Sequence, residues 1–565
     1  MLSRQRRRLG VIGTITGAVV AGVLVPPAAA HPGRPADPAH AVQPDWFDYD
    51  RSAAYGTVVE RLQVPMRDGF ELGCTIARPA VGGEPATGEF PGILRSYTPY
   101  GRAVEEAEGE FATYFSQRGY NVMSCDIRGT GISPAPGFEA RWPIQGPDGH
   151  DAVEWLADQS YSTGKVGASG TSYGGQTTLE IAAQQPPHLA AIAPNVSPME
   201  NYAEIFYPGG APAGADWLWV GSPDVADPAF DQRQLEAFRA HPTYDEYWDV
   251  QNVANAHEDI EVPVLLTGGW FDVFRAGAIG NYEGLRDAGN DDVRLVMGPW
   301  THADTWEQET EPLPIGATLA WFDHWLGEDP DAPLPAAPVT SYEVEGTAGG
   351  RWVELSDWPA DGEGQELALG TDQGLDRRPG KPGTLDLTID PDDGPATTCL
   401  VGCPRPTDPA ADNAAADEGR LTFTSGPLAH DAVMAGQAEV TVEATLPNSD
   451  GNLVAKVMDV APDGRVTEVA AGWLRASHRF GHDESVPVTP GEETTFVIET
   501  QPAHWRFAEG HQVRISLMTG DVPRLAPDGA TGVIGVATGA RGSMAEIEFT
   551  HRVRFDRTPA APGRP

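Results

Sequence analysis

Gly170-Thr171-Ser172-Tyr173-Gly174 joins a strand-like run to a helix-like run and matches the pattern G-x-S-x-G. The strand-like run Lys165–Ser169 precedes it, and the helix-like run Gln176–Gln185 follows it. Small residues on both sides of the serine permit a sharp strand-to-helix turn. Such a turn lifts the hydroxyl above a sheet at a helix N-terminus, whose dipole favours developing negative charge. The segment therefore predicts a nucleophilic Ser172, the alternative being a glycine-rich turn without chemistry.

Strand-like and helix-like segments alternate on both sides of this turn, from about Val58 to Gly327. Strands are predicted at Val58–Pro65, Phe70–Pro79, Phe90–Ser96, Tyr120–Asp126, Lys165–Ser169, Val262–Thr267 and Val293–Met297. Helices are predicted at Glu105–Arg118, Asp148–Gln159, Gln176–Gln185 and Ala317–Leu326, with Asp148 as an N-cap. This alternation is typical of an α/β fold in which helices cover both faces of a parallel sheet.

A nucleophilic serine needs a base, and the base needs an acidic residue that orients it. In α/β-hydrolases the chain order is Ser, then Asp or Glu, then His, each on a loop after a strand. Val262–Thr267 leads to Asp272, and Val293–Met297 leads to His302. Both lie at the carboxyl ends of strands, where α/β sheets bind ligands. The sequence therefore predicts a triad of Ser172, Asp272 and His302.

Other acids and histidines fit these roles less well. His324 lies within a predicted helix and is expected to pack there. Asp304 is only two residues past His302, too close to orient it easily, and Asp291 precedes its strand. An oxyanion hole is also required for acyl transfer. The backbone N–H of Tyr173 and a donor from the loop Tyr97-Thr98-Pro99-Tyr100-Gly101 are the candidates, with Tyr100 preferred.

Residues 198–260 interrupt the alternation and are rich in aromatic residues, which predicts a helical cap over the sheet. Most of these aromatic side chains are expected to pack within the cap itself. The candidate substrate-pocket residues are Trp217, Glu204 and Asp216 in the cap, and Trp270, Phe271 and Trp300 beside the triad.

The pattern changes after about Pro333, where short strand-like runs recur between turns rich in Pro, Gly and Asp. This favours an all-β jelly roll or sandwich. The predicted organisation is a signal peptide at 1–30, a flexible lead-in at 31–44, an α/β-hydrolase domain at 45–333, a β domain at 334–556 and a tail at 557–565.

The first thirty residues carry four arginines, then an apolar run, then Ala28-Ala29-Ala30 before His31. This pattern predicts a secretory signal peptide and a secreted mature protein, by a route that the sequence does not specify, the alternative being an uncleaved membrane anchor. No later stretch is long and apolar enough to span a bilayer. The formal charge of −43 disfavours nucleic acid and anionic membranes as partners.

Four cysteines suit an exported protein with disulfides. Cys399 and Cys403 are expected to pair locally. Cys74 and Cys125 can pair if their two strands are neighbours. No metal site is expected, because the cysteines and histidines do not fall at zinc-ligand spacing.

The chain resembles the cocaine-esterase-like branch of the Xaa-Pro dipeptidyl-peptidase (S15) group over most of its length. The motifs that carry this resemblance are Thr98-Pro99-Tyr100, Asp126-Ile127-Arg128-Gly129-Thr130-Gly131, Gly164-Lys165-Val166-Gly167, Gly170-Thr171-Ser172-Tyr173-Gly174-Gly175, Gly268-Gly269-Trp270-Phe271-Asp272, Gly298-Pro299-Trp300-Thr301-His302 and Leu421-Thr422-Phe423-Thr424-Ser425-Gly426-Pro427-Leu428.

The resemblance implies an α/β-hydrolase core, a helical cap and a jelly-roll domain, without metal or organic cofactor. It implies the same triad, with the Tyr100 hydroxyl and the Tyr173 amide as oxyanion donors. It also implies a structural role for Asp126 and Arg128. The cap is short for this group, and the N-terminal helical domain of the cytosolic X-Pro peptidases is absent, which weakens a strict dipeptidyl-peptidase interpretation.

Three functions remain open at this point. The first is an esterase or acylase that acts on a small ester or amide through an acyl-enzyme. The second is a peptidase that removes Xaa-Pro dipeptides, with Glu204 or Asp216 binding the substrate's ammonium group. The third is a secreted binding protein with an inactive hydrolase core, against which a complete triad argues. The oligomeric state is left open.

Overall fold

The computed structural model of the chain describes residues 44–135, 142–214, 236–302, 304, 315–360, 362–394 and 405–556. Several predictions concern residues outside these ranges. They are the signal peptide, most of the lead-in, Asp216, Trp217, the pair Cys399 and Cys403, and the tail at 557–565.

A mixed sheet forms the centre of the N-terminal domain. Its strands, with one short addition at β3, are β1 (Gly56–Pro65), β2 (Glu71–Val81), β3 (Glu84–Pro85), β4 (Phe90–Thr98), β5 (Asn121–Asp126), β6 (Ser162–Thr171), β7 (Leu189–Asn195), β8 (Val264–Phe271), β9 (Val293–Thr301) and β10 (Val339–Val344). The main strands run in the order β1-β2-β5-β4-β6-β7-β8-β9-β10. From β5 to β10 all neighbours are parallel, whereas β2 is antiparallel to both β1 and β5. The sheet is thus not wholly parallel, because the tight turn at 67–69 allows only antiparallel return.

Helices cover both faces of this sheet, as the alternation predicts. They are α1 (Ala103–Glu108), α2 (Glu110–Ser116), α3 (Trp142–Ala157), α4 (Tyr173–Ala182), α5 (Glu246–Asp249), α6 (Arg275–Asp287) and α7 (Ile315–Leu326). Successive strand residues point to opposite faces. Leu94 and Leu295 belong to the core shared with α3, α4 and α6, while their neighbours Ile93 and Val296 pack with α2 and α7.

Three local predictions differ from the structure. The helix predicted at Glu105–Arg118 is two helices, because Gly109 is extended with φ −74° and ψ 176°. The strand β7 was not predicted, although it is the neighbour of the strand that leads to Ser172. Asp148 does not cap a helix, since α3 already begins at Trp142 and Asp148 lies inside it.

Asp148 instead binds Arg128 in an ion network in which these two side chains are buried and that of Asp68 is partly exposed. The Arg128 guanidinium donates to Asp148 at 2.5 and 2.7 Å and to Asp68 at 2.5 and 2.9 Å. Asp126 accepts from the N–H groups of Ala103 and Ile132 at 3.1 and 2.9 Å. These contacts tie the β1–β2 turn to α3 and are consistent with structural roles.

Replacing Arg128 by methionine should lower the free energy of unfolding by about 3–5 kcal/mol, because it leaves a buried carboxylate without its partner. Burial raises the pKa of Asp148 despite Arg128, so the deficit should shrink as the pH falls and the carboxyl is protonated. Urea denaturation measures the effect. The control is Arg67→Met, whose half-exposed pair with Asp151 should contribute at most about 1 kcal/mol. Equal losses in the two variants would contradict the prediction.

The C-terminal domain consists of packed β-sheets. Its strands, and the edge strand β11 that pairs with β10, are β11 (Gly350–Leu355), β12 (Glu363–Leu369), β13 (Leu375–Asp376), β14 (Gly383–Thr388), β15 (Leu421–Thr424), β16 (Ala432–Thr445), β17 (Asn452–Val460), β18 (Val466–Arg475), β19 (Glu493–Glu499), β20 (Ala503–Phe507), β21 (Gln512–Met518), β22 (Val533–Thr538) and β23 (Met544–Phe549), with one short helix α8 (Ala414–Asp417). One sheet has the order β15-β21-β17-β18. The other is built around β16, which pairs with β19, β20, β22 and β23. The predicted α/β-hydrolase core and all-β domain are both present.

The two parts of the fold are joined through β10. This strand follows the predicted boundary at 333, yet it extends the hydrolase sheet by pairing with β9. Its last residue, Val344, also pairs with Trp505 of β20 in the β domain. Backbone hydrogen bonds therefore run from the sheet that carries the candidate triad into the C-terminal domain.

One of the two possible cysteine pairs is present as a disulfide. Cys74 and Cys125 lie opposite each other on β2 and β5 and are bonded. Among the described residues, no helix combines the length and the apolar character needed to cross a bilayer.

Candidate active site

Ser172 occupies the sharp turn between β6 and α4. Its backbone has φ 61° and ψ −121°, a conformation that L-residues rarely adopt. The glycines around it are required by close approach. A Cβ on Gly170 would lie 2.3 Å from the carbonyl oxygen of Gly174, and one on Gly175 would lie 2.8 Å from that of Asn195. The motif thus builds a strained turn that presents the hydroxyl above the sheet.

The structure brings Ser172, His302 and Asp272 into one hydrogen-bonded chain. His302 Nε2 lies 3.0 Å from Ser172 Oγ, and His302 Nδ1 lies 2.7 Å from Asp272 Oδ2. All three are buried, with exposed fractions of 6% for Ser172, 5% for His302 and 3% for Asp272. Parallel strands explain the convergence, because β6, β8 and β9 all end at the same edge of the sheet.

The loop after β8 orients the carboxylate. Asp272 Oδ1 accepts from the N–H of Phe274 at 2.6 Å, which leaves Oδ2 directed at the imidazole. The Phe274 ring packs edge-on against His302 at 5.3 Å between centroids. With a proton on Nδ1, the imidazole donates to Asp272 and can accept the Ser172 proton at Nε2. This geometry suits general-base activation of the serine.

The two residues that carry the candidate oxyanion donors have neighbouring side chains. Tyr173 is the first residue of α4, so its N–H is at the helix N-terminus next to Ser172. Tyr100 follows β4, and its ring lies 6.1 Å from the Tyr173 ring. The Tyr173 hydroxyl donates to Gln145 Oε1 at 2.8 Å, which fixes that ring against the loop carrying Tyr100.

The aromatic pocket candidates occupy packing positions. Trp270 is 2% exposed and lies 5.4 Å from the Trp358 ring. Trp300 packs against Trp352 at 5.7 Å, on the other face of the sheet. Trp270 is thus enclosed by its neighbours, whereas Trp300 is only partly buried, and the place of either ring in a substrate pocket stays a prediction. Phe271 is buried in the core shared with the cap.

Glu204 is a buried residue of the cap, with an exposed fraction of 9%. Its Oε1 accepts from the N–H groups of Met199 and Glu200 at 2.8 and 3.0 Å, while no described residue donates to Oε2. Burial raises the pKa of Glu204 to about 8. The carboxyl packs on Gly277 of α6. A Cβ added at that position would lie 2.3 Å from Oε2. Phe274, which contacts His302, lies one turn earlier in the chain.

The cap aromatics pack mainly with one another, as expected. The Phe206 and Phe238 rings lie 4.0 Å apart, and Tyr202 contacts both Tyr207 and Trp248.

The residues that compete with the triad have other partners. Asp304 accepts from the backbone N–H and the hydroxyl of Thr301 and contacts Arg405. Asp291 pairs with Arg286 at the start of β9. His324 lies in α7 beside the Trp325 ring. None of these contacts joins the serine.

Sequence reasoning missed four residues that support the site, namely Gln145, Phe274, Arg275 and Arg405. For Phe274 and Arg275, nearness to Asp272 was an available signal. Gln145 and Arg405 are far along the chain from what they support, and no local pattern marks them.

Comparison with known proteins agrees with this architecture. The family model described as X-Pro dipeptidyl-peptidase (S15 family) matches residues 68–234 and 224–304. The model described as X-Pro dipeptidyl-peptidase C-terminal non-catalytic domain matches residues 335–558. The cocaine esterase of Rhodococcus sp. (strain MB1 Bresler) is 26% identical over 551 residues, which cover 84% of this chain and 93% of that protein.

Two solved structures share the fold. A CocE/NonD family hydrolase from Staphylococcus aureus has a TM-score of 0.73 at 19% identity, covering 87% of this chain and 94% of that one. An α-amino acid ester hydrolase has a TM-score of 0.71 at 22% identity, covering 91% of this chain and 100% of that one. The family matches extend over both domains, and the chain therefore belongs to the X-Pro dipeptidyl-peptidase (S15) family of serine hydrolases, as a cocaine-esterase-like member.

Proposed function

We propose that this enzyme is a secreted carboxylic-ester hydrolase or acylase that acts through an acyl-enzyme on Ser172. The observation that carries the proposal is the hydrogen-bonded chain from Ser172 through His302 to Asp272. The similarity to a cocaine esterase over most of both chains supports an ester substrate.

Acylation begins when Ser172 Oγ attacks the carbonyl carbon of the substrate. His302 Nε2 accepts the hydroxyl proton, and Asp272 stabilises the resulting imidazolium. The carbonyl oxygen becomes an oxyanion, for which the Tyr173 N–H and the Tyr100 hydroxyl are the proposed donors. The tetrahedral intermediate then collapses, and His302 returns the proton to the leaving alcohol or amine.

Deacylation repeats these steps with water. His302 takes a proton from the water as it attacks the acyl carbon, and the proton passes to Ser172 Oγ as the ester bond breaks. The products are a carboxylic acid and the restored enzyme.

Replacing Tyr100 by phenylalanine should lower kcat by ~10²–10³, the usual loss for one oxyanion donor. The ring stays in place against Tyr173, so the fold is expected to be unchanged. Hydrolysis of p-nitrophenyl butyrate measures the rate. The control is Tyr114→Phe, whose hydroxyl binds Asp50 away from the triad. A Tyr100→Phe rate equal to that of Tyr114→Phe would assign Tyr100 to packing alone.

The acyl preference is tested by comparing p-nitrophenyl butyrate with glycyl-prolyl-p-nitroanilide. Rapid ester cleavage without release of p-nitroaniline would support the esterase proposal. Release of p-nitroaniline that stops when the substrate's N-terminus is acetylated would overturn it in favour of an Xaa-Pro dipeptidyl-peptidase.

One observation favours that second candidate, namely the buried Oε2 of Glu204 that no described residue binds. A substrate ammonium group is a donor of the kind this oxygen lacks, and its charge would compensate the buried carboxylate. Because the pKa of Glu204 is raised to about 8, the carboxyl without substrate is mostly protonated below that pH.

If Glu204 binds an ammonium group, KM for substrates with a free amine should rise as the pH falls below about 8. KM for p-nitrophenyl butyrate should not follow this trend. In Glu204→Gln the pH trend should disappear while ester hydrolysis persists. Equal pH profiles for the two substrates would exclude the amine anchor.

Secretion is proposed from the leader alone, with cleavage after Ala30. Expression of the full chain should release a protein that begins at His31, which N-terminal sequencing checks. A small ester, amide or short peptide is the proposed partner, and nucleic acid is not.

A further inference from the structure

The loop that carries His302 is held by an arginine from the C-terminal domain. Arg405 Nε donates to the carbonyl oxygen of Pro299 at 3.1 Å, and its terminal nitrogen contacts the Asp304 carboxylate. Asp304 in turn accepts from the backbone N–H of Thr301 at 2.6 Å and from its hydroxyl at 2.8 Å. These contacts fix residues on both sides of His302.

The loop that carries Asp272 is also linked to the C-terminal domain. Here the arginine belongs to the hydrolase domain and its side chain contacts the C-terminal domain. Arg275 donates to the carbonyl oxygen of Trp270 at 3.1 Å and to that of Val469 in β18 at 3.2 Å. Its Nε also donates to Gln501 at 3.1 Å. Arg275 is 7% exposed, so these are interior contacts.

We propose that the C-terminal β domain positions the acid and the base of the triad, with Arg405 and Arg275 as positioning residues. Neither arginine is placed at the reacting atoms. Each arginine links the β domain to a loop that carries one partner of the His302–Asp272 hydrogen bond. Arg405 contacts the His302 loop, and Arg275 contacts the Asp272 loop. The inference rests on the proposed catalytic role of Ser172, His302 and Asp272.

The chemistry of the Arg405 contact suits a geometric role. Its planar guanidinium binds a carbonyl and a carboxylate in fixed directions, which a lysine cannot reproduce. Burial alone would raise the pKa of Asp304, but the Thr301 N–H and Arg405 outweigh it and hold the pKa below its usual value. The side chain of Arg405 is 45% exposed, so the pair contributes little to overall stability. Its effect should therefore appear in the rate.

The first test is Arg405→Ala in the full chain, assayed with p-nitrophenyl butyrate. We expect kcat to fall ~10–10²-fold, the scale of a displacement of about 1 Å at a catalytic group. KM should stay within about twofold, because uniform substrate binding is not affected. The melting temperature should stay within about 2 °C. Arg405→Lys should recover part of the loss, since it restores the charge without the planar fork.

Arg286→Ala is the matched control. Arg286 also bridges a loop, donating to the Asn290 carbonyl and to Asp291 at 3.3 Å each. That loop precedes the other end of β9, far from His302 along the strand. Its loss should leave kcat unchanged.

Labelling of Ser172 by a fluorophosphonate gives a second readout that does not depend on the substrate. The labelling rate should fall in Arg405→Ala in parallel with kcat. If Arg405→Ala fails to fold, Asp304→Asn is the variant that tests the inference, because it removes the ion pair between Arg405 and Asp304 by changing the acid instead of the arginine. Unchanged kcat and labelling in a folded variant would overturn the inference. Failure of the proposed function would look different, since the wild-type enzyme would then not label at Ser172.

Gln501→Ala tests the contact at the Asp272 loop without altering the hydrolase domain. We expect a smaller loss of kcat than in Arg405→Ala, because Arg275 keeps its bond to Val469. A double variant with Arg405→Ala should lose more than either single change. Two results together would remove Arg275 from the proposal. They are a wild-type kcat in Gln501→Ala and a kcat in the double variant that equals that of Arg405→Ala alone.

Discussion

Replacing Ser172 by alanine is expected to lower kcat by ~10⁶ while the protein stays folded. In the proposed mechanism the Ser172 hydroxyl oxygen forms the covalent bond with the substrate, and this oxygen lies 3.0 Å from His302 Nε2. The strained turn is built by the backbone and the surrounding glycines, so alanine should fit it. Hydrolysis of p-nitrophenyl butyrate and a thermal melt measure the two effects.

The control for this variant is Ser162→Ala. Ser162 lies at the other end of β6, where its hydroxyl accepts from the N–H of Gly164. It should retain full activity. A Ser172→Ala enzyme as active as Ser162→Ala would refute the nucleophile assignment and, with it, the acyl-enzyme mechanism.

Replacing Asp272 by asparagine should lower kcat by ~10⁴. Asp272 Oδ1 already accepts from the Phe274 N–H, so the asparagine oxygen should keep that bond. The amide N–H₂ would then face His302 Nδ1 and force the imidazole proton onto Nε2. In that tautomer Nε2 cannot accept the Ser172 proton. Steady-state rates over a pH series measure the loss.

Asp291→Asn is the control for this change, because Asp291 pairs with Arg286 at the start of β9. It should leave kcat unaltered. If Asp272→Asn retained more than about a tenth of the wild-type rate, another residue would be orienting the imidazole.

Much of the candidate site could be predicted because its residues follow local rules. The G-x-S-x-G turn is a short-range pattern, and its first glycine, Gly170, is required by a close approach to Gly174 within the turn. Asp272 and His302 were identified by their positions after apolar runs, and parallel strands bring such positions to one edge. The strand-like runs after about Pro333 were likewise recognised by their local pattern, and the structure has an all-β domain there.

The contacts of individual side chains could not be predicted in the same way. Asp148 is of a residue type that often caps helices, but its side chain binds Arg128, twenty residues away. Trp270 and Trp300 adjoin the triad in sequence, and only the structure shows that they pack against Trp358 and Trp352. The direction of a side chain depends on what packs over it, which spacing along the chain does not encode.

The sequence by itself determined the hydrolase fold class, the all-β second domain and the three residues of the proposed triad, because each depends on periodicity or on strand ends. The tertiary structure alone decided the pairing of β2 with β5, the burial of Glu204 and the contact of Arg405 with the His302 loop. Arg405 lies about a hundred residues from Asp304 in the chain. Such contacts arise when two domains dock, and no local preference of either segment specifies them.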